Sequence, residues 1–126
     1  MNMNALTGKL IDALIEVESG GDDGAIGDNH LVNRAYGPLQ IRKPYVTDVN
    51  TRYGTSFKAE DCLGNRALSI AIFGLYMNIY AKSSRLGHPP TAEDIARIHN
   101  GGPNGYKNAA TAPYWARVRG YLLFLA

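Results

Sequence analysis

Leu6-Thr7-Gly8-Lys9-Leu10-Ile11-Asp12-Ala13-Leu14-Ile15-Glu16-Val17-Glu18-Ser19-Gly20-Gly21 opens the chain on a helical period. Leu6, Leu10, Ile11, Leu14 and Ile15 recur at intervals that lay side chains along one face of an α-helix, so the pattern predicts a helix over 6–19. Gly20-Gly21 supplies the left-handed residue that commonly closes a helix. Glu18 continues the apolar stripe, because it follows Leu14 by four positions, Ile15 by three and Ile11 by seven. Glu16 shares its face with Asp12 and Ala13 and belongs in water.

Two effects act on a carboxyl group placed as Glu18 is. Partial burial disfavours the charged form, and the negative end of the helix dipole does the same. An acid that keeps its proton near neutral pH is what general acid catalysis requires. On spacing alone, a half-buried glutamate paired with an arginine fits as well, and the geometry of one helix names no reaction.

Beyond Gly21 the helical period breaks until about Ile41. Short extended stretches near Ala25-Ile26 and Leu39-Ile41 suggest a small hairpin. Lys43 to Asn50 reads as a short helix with Pro44 in its first turn. A second strong helix is expected from Asn65 to Tyr80, with Leu68, Ile72, Leu75, Tyr76 and Ile79 as its apolar face. Gly87-His88-Pro89-Pro90 is a connector. Thr91 and Asp94 resemble a capping box that opens a helix from Ala92 to about His99. Gly101-Gly102-Pro103-Asn104-Gly105 forces a loop, and a last helix runs from about Pro113 to Leu125 with Tyr114, Trp115 and Val118 on its core face. The fold class expected is α+β, mainly α, in one domain spanning 1–126.

Composition narrows the function. A net charge of +2 over 126 residues argues against a nucleic-acid partner, which calls for a dense basic face, and suits gentle attraction to an anionic polymer. The single cysteine, Cys62, excludes an intramolecular disulfide and a cysteine-based metal site; it reads as a packing residue. His30, His88 and His99 lack metal-ligand spacing, so neither a metal nor a cofactor is expected. No apolar run is long enough to span a membrane.

The segments Val17-Glu18-Ser19-Gly20, Tyr36-Gly37-Pro38-Leu39-Gln40-Ile41-Arg42-Lys43-Pro44-Tyr45, Asp94-Ile95-Ala96-Arg97-Ile98-His99-Asn100-Gly101-Gly102-Pro103-Asn104-Gly105 and Thr111-Ala112-Pro113-Tyr114-Trp115 follow one another in an order and spacing that resembles the invertebrate-type (destabilase-like) lysozymes. Their skeleton is also similar to goose-type lysozymes and lytic transglycosylases. The resemblance implies a lysozyme-like fold, with a helical lobe, a small β-hairpin lobe and a saccharide cleft between them. It implies cleavage of the β-1,4 bond between N-acetylmuramic acid and N-acetylglucosamine in peptidoglycan glycan strands, by a monomer. The family's catalytic acid carries over to Glu18, the residue singled out by helix geometry.

The family's second carboxylate lies shortly before the "GPxQI" segment. Asp28 is the only acidic residue between Ala25 and Asp48 and is assigned that role; a gapless alignment would put His30 there. Asp22 and Asp23, closer to the helix end, are expected to cap the turn or stay solvated. The animal enzymes are dense in disulfides, so a chain with one cysteine suggests a bacterial or phage relative held by its core. Some animal members carry an isopeptidase activity associated with serine near "GPxQI"; Asn33 and Ala35 stand at the matching positions, and no such activity is expected. The opening Met1–Leu6 shows no basic region ahead of an apolar core, so no secretory signal is read; action on a cell wall would place the protein outside the cell, in the periplasm or in phage delivery.

Substrate contacts are expected from Gln40, on a strand beside the cleft, and from the ring of Tyr36 or Tyr45, with core packing as the alternative for both tyrosines. His99, Asn100, Gly101 and Gly102 are expected to present backbone groups and an amide to an N-acetyl group, although a satisfied structural role suits His99 better. Arg34, Arg42 and Lys43 read as a solvated basic cluster. Asp28 would attack the anomeric carbon or activate water, a carboxyl separation of about 5–5.5 Å implying retention and roughly 6.5–9.5 Å inversion. Two rival readings remain: a lytic transglycosylase using Glu18 alone and releasing 1,6-anhydromuramic products, and a non-catalytic cell-wall-binding module on the same scaffold.

Overall fold

The predicted helices are present in the computed structural model, which describes residues 5–125. Helix α1 spans Ala5–Ser19, α2 Lys43–Tyr53, α3 Arg66–Tyr80, α4 Ser83–Leu86, α5 Ala92–Gly101 and α6 Ala112–Leu125. Strands β1 (Ile26–Gly27) and β2 (Ala35–Tyr36) pair antiparallel, Ile26 opposite Tyr36 and Gly27 opposite Ala35. The chain divides into two compact units. One is Glu18–Tyr76; the other combines the described residues up to Val17 with those from Met77 onward.

In the Glu18–Tyr76 unit the hairpin uses Ala35–Tyr36 rather than the Leu39–Ile41 stretch as its second arm. Only Ile41 pairs, through a single bridge to Tyr36, because Gly37 to Gln40 turn the chain back on itself. Helix α2 runs three residues beyond the expected Asn50 and stops at Gly54, whose φ of 67° is the left-handed geometry that ends helices. Asn50 braces that stop: its side-chain oxygen accepts from the Phe57 N–H at 3.0 Å and its amide donates to the Phe57 carbonyl at 2.8 Å.

The buried face of α3 is rotated from the expected one. Ile72, Phe73, Tyr76 and Met77 are at most 3% exposed, whereas Leu68, Leu75 and Ile79 are only half-buried. The helix is apolar nearly all round, so periodicity alone leaves its orientation degenerate. Ser69 also lies on the buried side, its hydroxyl donating to the Asn65 carbonyl at 2.8 Å, which removes the penalty of burying it. Cys62 is fully buried beside it, and burial pushes its thiol pKa up, partly offset by the Ser69 hydroxyl. It is the inert packing residue expected of it.

In the other unit, Leu10, Ile11, Leu14 and Ile15 of α1 are at most 2% exposed, each burial contributing about 1.5–3 kcal/mol. Helix α6 starts one residue early, at Ala112, with Tyr114 and Val118 buried and Trp115 half-buried. The capping box is present: the Thr91 hydroxyl accepts from the Asp94 N–H at 3.1 Å, and the Asp94 carboxylate accepts from the Thr91 N–H at 3.0 Å. The same carboxylate meets His88 Nε2 at 2.8 Å.

This network makes a pH prediction. Burial raises the Asp94 pKa, but the Thr91 N–H, His88 and the Thr91 hydroxyl together outweigh it and leave the carboxyl below its ordinary value. A carboxylate with a depressed native pKa contributes stability that is full above its unfolded value of about 4 and is lost as pH falls through the native one. Asp94→Asn is therefore expected to lower urea resistance at pH 7, and the gap to wild type should narrow by pH 3. An equal gap at both values would refute the assignment.

Candidate active site

Glu18 occupies the last turn of α1, half-buried, in a turn that carries no basic residue to offset the helix dipole. Gly20 (φ 64°) and Gly21 (φ 86°) end the helix directly after it. The neighbouring Ser19 hydroxyl donates to the Pro38 carbonyl at 2.9 Å, tying the helix end to the "GPLQ" turn. Arg66, at the start of α3, secures the following segment by donating to the Asp23 carboxylate at 2.7 Å and to the Gly21 carbonyl at 3.0 Å. Asp22 makes a local turn, its carboxylate accepting from the Gly24 N–H at 2.9 Å. Neither the Ser19 nor the Arg66 partner is legible from sequence; the one signal is an arginine opening a helix, where its charge is unfavourable.

Asp28 follows β1 and adopts φ 55°, a left-handed geometry that aspartate tolerates better than most residues. Its carboxylate is bridged by the Arg42 guanidinium, whose other nitrogen donates to the Asn33 carbonyl at 2.8 Å. Arg42's hydrogen bond and charge hold the Asp28 pKa below the usual carboxylate range against a smaller desolvation effect, with His30 acting in the same direction. Asp28 therefore favours its ionised form. Arg42 is thus tied to Asp28 and Asn33 rather than being a solvated member of a basic cluster.

Gln40 is not on a strand. It sits at φ 52° in the turn, and its amide donates to the Ala25 carbonyl at 3.2 Å and the Gly37 carbonyl at 3.0 Å. Its side chain is a brace for the hairpin, the backbone-satisfying role. A Cβ on Gly27 would lie 2.1 Å from the Gln40 side-chain oxygen, so a larger residue there would displace the amide. Tyr36 on β2 is half-buried. Tyr45 has one face stacked on Tyr76, centroids 3.7 Å apart and planes 9° from parallel. The structure therefore brings Asp28, Tyr36, Gln40 and Arg42 together on one hairpin and its return, in the same unit as Glu18.

His99, Asn100, Gly101 and Gly102 lie in the other unit, at the end of α5. His99 is 8% exposed, in keeping with a structural role, whereas Asn100 is exposed. Gly102 has φ 85°, and a Cβ on Gly101 would come within 2.5 Å of the Thr111 side chain. Gly105 packs harder still: a Cβ there would lie 2.0 Å from the Arg97 carbonyl. Arg85 holds the loop from outside, donating to the Tyr80 and Pro103 carbonyls at 2.9 and 3.0 Å with Tyr80 and Tyr106 rings against its guanidinium. Among the described residues no group of His, Cys, Asp and Glu is placed to hold a metal ion, and no helix is long and apolar enough to cross a membrane.

Solved structures place this mainly helical fold, with its small two-stranded hairpin, in the lysozyme-like class. The crystal structure of Tapes japonica lysozyme superposes with a TM-score of 0.72 at 28% identity, covering 88% of this chain and 86% of that one. A chain from the complex of Meretrix lusoria lysozyme with Aeromonas hydrophila PliI gives 0.75 at 27% identity, covering 94% and 93%. The Destabilase family model matches residues 7–120, and the chain belongs to that family. Among curated relatives, a lysozyme of Magallana gigas is 40% identical over 82 residues, 65% of this chain and 56% of that protein. An invertebrate-type lysozyme of Ruditapes philippinarum is 32% identical over 107 residues, 85% of this chain and 75% of that one. With 56% and 42% of the Magallana gigas and Crassostrea virginica proteins matched, the chain spans about half the length of these relatives.

Proposed function

We propose that the protein is a peptidoglycan hydrolase, a muramidase that acts as a monomer on glycan strands and cleaves the β-1,4 bond between N-acetylmuramic acid and N-acetylglucosamine. Membership of the Destabilase family across residues 7–120 carries this reading, together with the lysozyme names of its relatives. Glu18 serves as the general acid that protonates the glycosidic oxygen while an oxocarbenium-like state forms. Asp28, kept anionic by Arg42, supplies the opposing carboxylate, either attacking the anomeric carbon or drawing a proton from water. Tyr36 contacts the sugars, and Gln40 acts by keeping the hairpin in shape.

Clearing of purified cell walls with mass spectrometry of the released muropeptides tests this. Products that have gained water support hydrolysis. Anhydromuramic products would replace it with a transglycosylase, and binding without clearing would leave only a wall-binding module. An anionic Asp28 favours the first outcome, since a transglycosylase needs no second carboxylate. Asn33 is exposed and Ala35 buried, and neither offers a hydroxyl, so a γ-glutamyl-lysine substrate is expected to stay intact; any turnover above a buffer blank would contradict that. The Meretrix lusoria relative has been crystallised bound to an inhibitor, and we propose an inhibitor of that relative as a partner for this chain.

A further inference from the structure

We infer that Arg42 is a positioning residue for this reaction, one side chain that fixes the Asp28 carboxylate and the far end of its loop together. The inference rests on the proposed role of Asp28. One guanidinium nitrogen bridges the Asp28 carboxylate while the other donates to the Asn33 carbonyl at 2.8 Å, so the fork spans the segment 28–33 from end to end. That segment has little else to hold it: Leu31 N–H to the Asp28 carbonyl, 2.8 Å, is an internal turn bond, and Leu31 and Val32 are exposed.

The base of the clamp is rigid. Ile41, one residue before, is buried and exchanges two 3.0 Å backbone bonds with Tyr36. The Arg42 carbonyl accepts the first bond of α2, from the Val46 N–H at 3.2 Å. Arg42 therefore reaches out from a backbone fixed on both sides and imposes that frame on a residue whose own backbone is left-handed. The charged groups that act on Asp28 are Arg42 and, more weakly, His30. A lysine in place of Arg42 would keep the charge but lose the planar fork that bonds two acceptors at once.

The test is the pH profile of kcat/KM on peptidoglycan for wild type, Arg42→Gln and Arg42→Lys, with thermal melts alongside. In a bell-shaped profile the acid limb reports the group that must be ionised and the alkaline limb the group that must be protonated. Arg42→Gln is expected to move the acid limb to higher pH, leave the alkaline limb in place and lower kcat by roughly tenfold or more, as misplacement of a reacting group does. A merely structural loss would reduce amplitude without moving either limb. Arg42→Lys, the milder change should the glutamine variant fail to fold, is expected to keep the acid limb near wild type while kcat still falls.

A folded Arg42→Gln protein with an unmoved acid limb overturns the inference, as does an Arg42→Lys protein with wild-type kcat. Asp28→Asn separates this from the reading beneath it. If that variant turns over as wild type does, Asp28 has no catalytic role and the inference falls with it. The muramidase proposal would then stand or fall on the wild-type products alone.

Discussion

Glu18→Gln is expected to reduce kcat/KM on cell walls by at least about 100-fold, the lower end of what removing a general acid costs. The amide keeps the volume of the side chain but has no acidic proton to give to a departing sugar oxygen. The helix end should not change, because Gly20 and Gly21 close it and the Ser19 hydroxyl ties it to Pro38 independently of residue 18. Melting temperature and binding to insoluble wall should therefore stay near wild type while clearing stops. Glu16→Gln, two residues away on the exposed side of the same helix, is the matched control and should clear normally. Residual clearing by Glu18→Gln above a tenth of wild type would remove Glu18 from the acid role.

The second large effect is on stability. Gly37 has φ 79°, and a Cβ added there would stand 2.3 Å from the Cys62 carbonyl oxygen and 2.9 Å from its carbon. Neither neighbour is the free end of a side chain. The Gly37 N–H is also committed to the Ala25 carbonyl at 2.8 Å, so the turn cannot swing away without breaking the hairpin. Left-handed strain costs about 1–2 kcal/mol, and displacement of packed backbone adds to it, so Gly37→Ala is expected to cost ~3 kcal/mol or more. For a chain of this length that lowers the melting temperature by about 10 °C. Gly54→Ala isolates the contact. Gly54 has φ 67° with nothing within 4 Å of a Cβ, so it should lose only the strain, about 1 kcal/mol. Calorimetry that found the two variants equally stable would show that the approach to Cys62 is unimportant.

These two sites differ in how far the sequence alone exposes them. Glu18 is found by counting along one helix, since its face follows from Leu14 and Ile15 and needs no knowledge of the rest of the chain. Gly37 stands out only through a family motif, because its nearest obstacle is 25 residues away in sequence and nothing near Gly37 announces it. Gln40 misled for a related reason. Flanked by Leu39 and Ile41 it alternates like a strand, yet Gly37 and Gln40 both take positive φ and the apparent strand is a turn. The face of α3 is not legible from sequence because Phe73 and Met77 are as apolar as Leu68 and Leu75, so hydrophobicity does not select between them.

Read along the chain, the residues themselves determined the positions of the major helices, the Thr91–Asp94 cap, the glycine-driven breaks and the carboxyl group at the end of α1. Each is a relation among residues a few positions apart, governed by helix geometry and backbone sterics. Only the tertiary structure decided that Arg42 holds Asp28, that Ser19 holds Pro38 and that Arg66 holds Asp23, pairs separated by 14, 19 and 43 residues. Such partners are chosen by which segments meet once buried faces have closed together. A charged or polar side chain advertises that it can pair, while the fold alone selects the group it reaches.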